Sequence, residues 1–157
     1  MNRFKFTDLF IFIVISELTG ALSAILSGGS FSFYKELEQP PFSPPGWVFP
    51  VVWVVLYALM GISAYLIYSS GAENEKVKKA LIVYGAQLLV NFSWSILFFG
   101  LKLPLAAAII IILLIGLVSA MIVLFCRIRP IAAYLNIPYI LWLIFAAYLN
   151  IGVVLLN

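Results

Sequence analysis

Five predominantly apolar stretches, each long enough to cross a membrane as a helix, occupy most of this 157-residue chain. Only 10% of the residues are charged, whereas a soluble domain carries about a quarter. Lipid cannot satisfy backbone hydrogen bonds, so a spanning chain forms helices or a closed barrel, and barrel strands would alternate apolar with polar residues. The sequence therefore predicts an all-α integral membrane protein, a single domain in which five transmembrane helices form a bundle. The predicted helices cover about residues 6–26, 47–69, 77–99, 104–126 and 131–155.

The first stretch has two interpretations, because Arg3 and Lys5 before an apolar run also fit a cleaved signal peptide. Glu17 interrupts that run, and the run is long enough to span. Both features favour a retained helix. In the last stretch, Pro138 lies inside the apolar run and predicts a kink or a loosened turn.

The longest predicted connection is the proline-rich loop 27–46 between the first two spans. Glycines at its start are typical of a helix end, and four prolines then favour an extended backbone. The residues FYKELE within it can form one helical turn. Long ordered loops are often lids over a binding site, which is the expectation here.

Basic residues predict the orientation of the chain. Seven of the nine lie at one end of the predicted bundle, and only Lys35 and Lys102 lie at the other. By the positive-inside rule, the protein is a multi-pass protein of the cell membrane with its N-terminus cytoplasmic and its C-terminus outside. The net charge of +3 is then a topology signal, and no nucleic-acid partner is expected.

Two absences limit the chemistry. The sequence has no histidine, the commonest general base and metal ligand. Its single cysteine, Cys126, excludes an internal disulfide or a CxxC metal site. We therefore expect no metal site and no resident cofactor.

Small residues recur at every fourth position of the first span, at Ser16, Gly20, Ala24 and Gly28, and Gly116 and Ala120 repeat this in the fourth. Such stripes allow helices to approach closely, within one protomer or in a dimer. Glu17 is the one acidic residue deep in a span. A charge at that depth costs about 2.5–3.5 kcal/mol, so Glu17 is either a functional group or a neutral structural one.

Aromatic and amide side chains mark a second set of candidates. Gln87, Asn91 and Trp94 lie near one face of the third span. Trp47 fits the interfacial belt, whereas Trp53 and Trp142 lie too deep for it. At about 1.5 Å per residue, Trp53, Asn91, Ala146, Glu17 and Trp142 lie roughly 9 to 18 Å below the predicted outer surface. We expect an aromatic cavity in this outer half, suited to a flat hydrophobic ligand.

Three segments resemble the bacterial type of the tryptophan-rich sensory protein/translocator protein family (TspO/MBR), also called peripheral benzodiazepine receptors. They are PPFSPPGWVFPVVWVVLYALMGISAYL, QLLVNFSWSILFFG and PYILWLIFAAYLN. The resemblance covers essentially the whole chain. It implies a membrane receptor or sensor, usually a homodimer, that binds porphyrins such as protoporphyrin IX and benzodiazepine-like or isoquinoline-carboxamide ligands.

The resemblance also implies the site. The predicted ligand-binding residues are Tyr34, Trp53, Tyr57, Asn91, Trp94, Trp142 and Ala146. Some bacterial members are described as degrading protoporphyrin IX with light and oxygen, and this implies Trp53 and Trp142 as the catalytic pair. No metal is implied, because free-base porphyrin is held by stacking and is a ligand or substrate, not a cofactor.

The chain departs from the family pattern at three places. No basic residue follows Tyr148, so cholesterol binding is not expected, PLAAAI lacks the tryptophan of animal members, and Phe42 replaces a common loop tryptophan. Three functions remain open: a tetrapyrrole sensor or chaperone, a porphyrin-degrading enzyme, and a small proton-coupled exporter that uses Glu17. No internal repeat supports the exporter.

Overall fold

The computed structural model describes residues 5–28 and 31–157, so Arg3 and Gly29 lie outside the described residues. Those residues form helices and no strands. Five helical spans are long and apolar enough to cross a membrane, which confirms the predicted class. The elements are α1 Phe6–Leu26, α2 Phe31–Glu36, α3 Val48–Tyr68, α4 Asn74–Ser95, α5 Pro104–Ile128, α6 Pro130–Tyr134 and α7 Ile137–Leu156.

Glycine and proline set several of the boundaries. Gly28 and Gly71 have positive φ angles of 75° and 71° just after α1 and α3, a conformation that glycine adopts without steric cost. Pro104 begins α5, where its missing N–H is not needed. After Ser95, α4 continues as a π-helical turn, Ile96–Gly100, before the chain reverses.

The last span is divided, as Pro138 predicted, but the break comes before the proline. α6 ends at Tyr134, and α7 begins at Ile137 with Pro138 in its first turn. A proline disfavours helical geometry in the residue before it and cannot donate to the preceding turn. Asn136 lies in the break, fully buried, and its Nδ2 donates to Ser63 Oγ at 2.8 Å and to the Ala132 carbonyl at 2.9 Å.

The long helices form a closed ring. α1 packs against α3 and α4, α5 packs against α4, α6 and α7, and α3 completes the ring by contacting α6. We call the end at which α1 ends and α3 begins the loop end. At the loop end, the connection between α1 and α3 contacts α7 and the residue that follows it. Glu38 and Asn157 exchange two hydrogen bonds of 3.0 Å, and the Tyr148 hydroxyl donates to the Pro41 carbonyl.

Hydroxyl groups attach α1 to α4. Ser16 hydrogen-bonds the Tyr84 hydroxyl, Ser23 Oγ donates to the Phe92 carbonyl at 2.9 Å, and the Ser27 and Ser95 hydroxyls lie 3.0 Å apart. Of the small-residue stripe predicted for this helix, Ser16 is buried but Ala24 is exposed. The inward face therefore follows the serines rather than the strict four-residue repeat.

Candidate functional site

A cavity of about 240 Å³ lies near the loop end, between α1, α3 and α4. Four of the predicted ligand-binding residues line it, namely Trp53, Tyr57, Asn91 and Trp94. The structure thus brings together, from two helices, more than half of the set that the sequence predicted.

The wall formed by α1 is made of small side chains. Gly20, Ala21 and Ala24 line the cavity there. A methyl group added at Gly20 would overlap the Tyr57 ring, so this glycine allows the ring to lie directly against the α1 backbone. The close approach of α1 and α3 therefore leaves room for an aromatic ring but not for a larger residue at position 20.

The opposite wall is aromatic. The Trp53 ring lies 5.5 Å from the Tyr57 ring, one helical turn away, and 6.3 Å from the Trp94 ring of α4, measured between centroids. Trp53 also meets the Tyr139 ring edge-on at 6.2 Å. Rings at these separations attract each other and present flat faces to whatever occupies the cavity.

Few polar atoms reach this cavity. Asn91 Nδ2 donates to the Tyr139 hydroxyl at 2.9 Å, and that hydroxyl donates to Gln87 Oε1 at 2.8 Å. Asn91 Oδ1 makes no hydrogen bond within the described part of the chain, and neither does the indole N–H of Trp53. The residues that line the cavity thus carry an acceptor on Asn91 and donors on Trp53 and Tyr57 that are unpaired within the described part of the chain.

The mouth of the cavity lies on the side of the bundle. Ala21 and Ala24 of α1 and Pro50 and Val54 of α3 line the cavity and are also exposed on the surface. All four belong to segments that are apolar enough to cross a membrane. The opening therefore faces the region that hydrocarbon chains surround in a bilayer.

A second cavity of about 20 Å³ lies beside the first and is lined by Tyr34 and Ala146, among others. This is room for little more than a water molecule. Phe49, Trp94 and Phe99 line both cavities. Trp94 is fixed in place because its Nε1 donates to Asn150 Oδ1 at 3.1 Å.

Trp142 lies away from both cavities. It lines a shallow groove on the outside of the bundle between α3 and α7, together with Pro138 and Phe145. Its ring meets Phe49 edge-on at 5.9 Å, and its buried Nε1 has no hydrogen-bond partner among the described residues. The two tryptophans predicted as a catalytic pair, Trp53 and Trp142, thus do not share a cavity in this structure.

Tyr34 is the predicted aromatic residue of the connection. It is 4% exposed, and its buried hydroxyl makes no close hydrogen bond with the residues that the structure describes, although the Ser43 side chain lies nearby. Its ring meets Phe49 edge-on at 5.3 Å. Burial raises the pKa of Tyr34, and the nearby Ser43 side chain partly offsets this, so the hydroxyl is a neutral donor at physiological pH.

Glu17, the other candidate, does not line the cavity. It is partly buried on α1 and makes no hydrogen bond or ion pair with the residues that the structure describes. Among those residues there is also no group of three histidine, cysteine or acidic side chains that could hold a metal ion. The candidate site is therefore the aromatic cavity.

Sequence reasoning missed several residues of this region, among them Phe49, Phe99, Ser23 and Asn150. Phe49 and Phe99 carried no signal because phenylalanine is ordinary in an apolar span. Ser23 was passed over because the four-residue repeat selected Gly20 and Ala24, which also line the cavity, and not the serine between them. Asn150 is a buried amide in an apolar run, the same signal that identified Asn91, and it could have been found in that way.

Five apolar spans, three of which border the aromatic cavity, define the described part of this chain as a multi-pass membrane protein. Residues 11–156 match the model of the TspO/MBR family. The chain is 37% identical to the tryptophan-rich protein TspO of Archaeoglobus fulgidus, over 91% of this chain and 98% of that protein. It is 34% identical to the translocator protein of Bos taurus, over 88% and 83%. The chain belongs to the TspO/MBR family.

Proposed function

We propose that this protein is a membrane receptor that binds flat, hydrophobic aromatic molecules, above all a tetrapyrrole such as protoporphyrin IX. The observation that carries the proposal is the apolar cavity bordered by the rings of Trp53, Tyr57 and Trp94, with Asn91 among its few polar residues. Aromatic faces stack on a planar ligand, and a few polar groups orient it.

The proposal covers ligands of two sizes, a smaller one that fits the cavity as it stands and a larger one that extends beyond it. Small-molecule pockets usually measure about 300–1,000 Å³, and the cavity of about 240 Å³ lies just below that range. Benzodiazepine-like and isoquinoline-carboxamide ligands are the smaller class that suits it. A porphyrin macrocycle also needs the neighbouring space that Tyr34 and Ala146 line.

Free-base porphyrin suits the polar groups better than haem does. Asn91 Oδ1 is available to accept a ligand N–H, and the Trp53 N–H is available to donate. The sequence has no histidine to bind an iron atom axially. In this proposal the tetrapyrrole is the ligand or substrate, and the protein carries no resident cofactor.

The proposal extends to light- and oxygen-dependent porphyrin degradation. Indole rings give up an electron more readily than phenylalanine rings do, so Trp53 at the cavity and Trp142 behind Phe49 are the proposed participants. Nothing comparable favours a proton-coupled exporter, since Glu17 lies off the cavity.

The same proposal includes the setting of the receptor in the membrane. We place the N-terminus in the cytoplasm and the C-terminus outside, as the basic residues predict. The proline-rich connection then serves as a lid on the outer side, and the functional form is a homodimer.

Tryptophan variants of the purified full chain test this function. Trp53→Ala should weaken protoporphyrin IX binding about tenfold, equivalent to about 1.4 kcal/mol. Trp53→Phe keeps an aromatic face and should cost no more than about 1 kcal/mol. Binding is followed by quenching of the remaining tryptophan fluorescence. The matched control is Trp47→Ala, because Trp47 is 69% exposed and does not line the cavity.

Illumination then separates binding from degradation. Trp53→Phe should bind porphyrin but no longer bleach its absorption band under light and oxygen. Equal losses of affinity in the Trp47 and Trp53 variants would contradict the assignment of the cavity. Unchanged bleaching in Trp53→Phe and Trp142→Phe would remove the degradation step and leave the receptor.

A further inference from the structure

We propose that Phe49 is a gate that sets the size of ligand this protein accepts. With its ring in the observed position the two cavities are separate, and with its ring displaced they become one site that reaches α7. This inference rests on the proposed function, because it concerns which aromatic ligands enter the same site.

The position of Phe49 between the cavities is the first observation. It is 6% exposed and lines both the cavity of about 240 Å³ and the cavity of about 20 Å³. Tyr34 and Ala146 lie only on the far side, whereas Trp53 and Asn91 lie only on the near side. A ligand that touches both groups must therefore pass the wall to which Phe49 belongs.

Phe49, Trp94 and Phe99 line both cavities, and Phe49 is the one at the start of a helix. Trp94 is held by its hydrogen bond to Asn150, whose Nδ2 in turn donates to the Pro104 carbonyl at 2.8 Å. The Phe49 side chain has no polar atom and is held by ring packing alone. It is the second residue of α3, where the first turn lacks the full set of backbone hydrogen bonds.

Two aromatic side chains that carry buried hydrogen-bond donors pack against the Phe49 ring. Tyr34 meets it edge-on on one side and Trp142 on another. Within the described part of the chain, the Trp142 Nε1 is buried without a hydrogen-bond partner, and the Tyr34 hydroxyl is buried with only the Ser43 side chain beside it. Buried donors are almost always paired. These two donors belong to rings that pack against one apolar side chain, and they therefore indicate a site that is incomplete while Phe49 stays in place.

The class of ligand that completes the site follows from these positions. It is planar, larger than two fused rings, and carries an acceptor such as a carboxylate or carbonyl oxygen near Tyr34 and Trp142. A two-ring ligand occupies the near cavity without moving Phe49. The gate therefore lowers the apparent affinity for the macrocycle only, by the fraction of time that it is open.

Two substitutions at Phe49 test the gate, with protoporphyrin IX and an isoquinoline carboxamide as probes of the two sizes. Phe49→Ala should tighten binding of the porphyrin about tenfold, by removing the cost of opening. It should change the affinity for the smaller probe less than about threefold. Phe49→Leu keeps most of the bulk and should give an intermediate porphyrin affinity.

The matched control is Phe145→Ala. Phe145 also packs on the Trp142 ring, at 5.6 Å, but it lines the outer groove and neither cavity. Its truncation should leave the ratio of the two affinities unchanged. Elution as a single species and an unaltered melting temperature establish that each variant is folded. If Phe49→Ala is not folded, Phe49→Leu is used for the test in its place.

The outcomes separate the gate from the function. Wild-type protein that binds both probes, with Phe49 variants that shift both affinities equally or neither, overturns the gate and leaves the receptor. A change of the ratio in Phe145→Ala as large as in Phe49→Ala also overturns it. Failure of the wild type and of Phe49→Ala to bind either probe overturns the proposed function and the gate together.

Discussion

α1 and α5 are both apolar helices on the rim of the same bundle, yet they are held in different ways. α1 buries only Ser16 and Ser23, whereas α5 buries seven residues, among them Leu114 and Phe125. In lipid, apolar surface gains nothing by leaving solvent, so packing and hydrogen bonds decide how tightly a helix associates. α5 has dense packing, and α1 has a few hydroxyls and close backbone contacts.

The difference locates the adaptable part of the molecule. The cavity lies against α1 and not against α5. Regions with few buried contacts open most easily, so the α1 wall is the side of the cavity that is held least firmly. The α4, α5 and α7 side supplies the fixed surface, on which Trp94 is anchored through Asn150. Four substitutions measure this contrast.

The largest effect is expected on α5. Leu114→Ala should lower the free energy of unfolding by about 3 kcal/mol, because truncating a fully buried leucine leaves a cavity. Its neighbour Leu113 is 52% exposed, and Leu113→Ala should cost much less. Titration with a denaturing detergent in mixed micelles gives both values. Equal losses would remove the distinction between the buried and exposed faces of α5.

Gly61→Ala tests the close approach of α3 to α1. A methyl group there would lie 2.6 Å from the Ile13 Cα and 2.8 Å from the Phe12 carbonyl oxygen. Because backbone cannot move aside as a side chain can, we expect a loss of about 2 kcal/mol. Gly116→Ala is the control, since nothing lies within 4 Å of a methyl group there. The same detergent titration should show no loss for it.

Asn150→Ala tests the anchor of the fixed wall. It removes the acceptor of the Trp94 N–H and a donor to the Pro104 carbonyl, which should cost about 1–2 kcal/mol because buried groups lose their partners. The wavelength of the Trp94 fluorescence emission should also shift. A variant that carries Trp47→Phe, Trp53→Phe and Trp142→Phe, so that Trp94 is its single tryptophan, is used to measure it. An unshifted spectrum would show that Asn150 does not hold the indole.

The smallest effect is expected for a single hydroxyl of α1. Ser23→Ala removes the hydrogen bond to the Phe92 carbonyl and should cost about 0.6 kcal/mol, the average for such bonds between membrane helices. Ser119→Ala is the control, because the exposed Ser119 hydroxyl bonds only the Ile115 carbonyl of its own helix. A loss above that of Leu114→Ala would reverse the comparison between α1 and α5.

The spans were predictable because length and apolar character are direct requirements of the bilayer. The break near Pro138 was predictable in kind, since proline cannot continue a helix in the ordinary way. The π-helical turn Ile96–Gly100 was not, because ILFFG reads as a plain continuation of an apolar helix.

The candidate residues were selected by their depth along the helices, and depth does not give the direction in which a side chain points. Counting residues gives the depth of Trp142 below the membrane surface, and depth alone placed it with Trp53. Which side of the bundle a residue faces depends on how helices rotate as they pack. That rotation turned Trp142 towards the outer groove and left Phe49 between the cavities, and neither follows from spacing along the chain.

For the proposed receptor, the lateral mouth between Ala21, Ala24, Pro50 and Val54 determines how an affinity must be expressed. A hydrophobic ligand dissolves in the bilayer first, so the concentration that the cavity meets is the one reached by partition into lipid. Occupancy then depends on the amount of membrane present as well as on the total ligand. A dissociation constant given per litre of water would change with the lipid-to-protein ratio, whereas a mole fraction in the membrane would not.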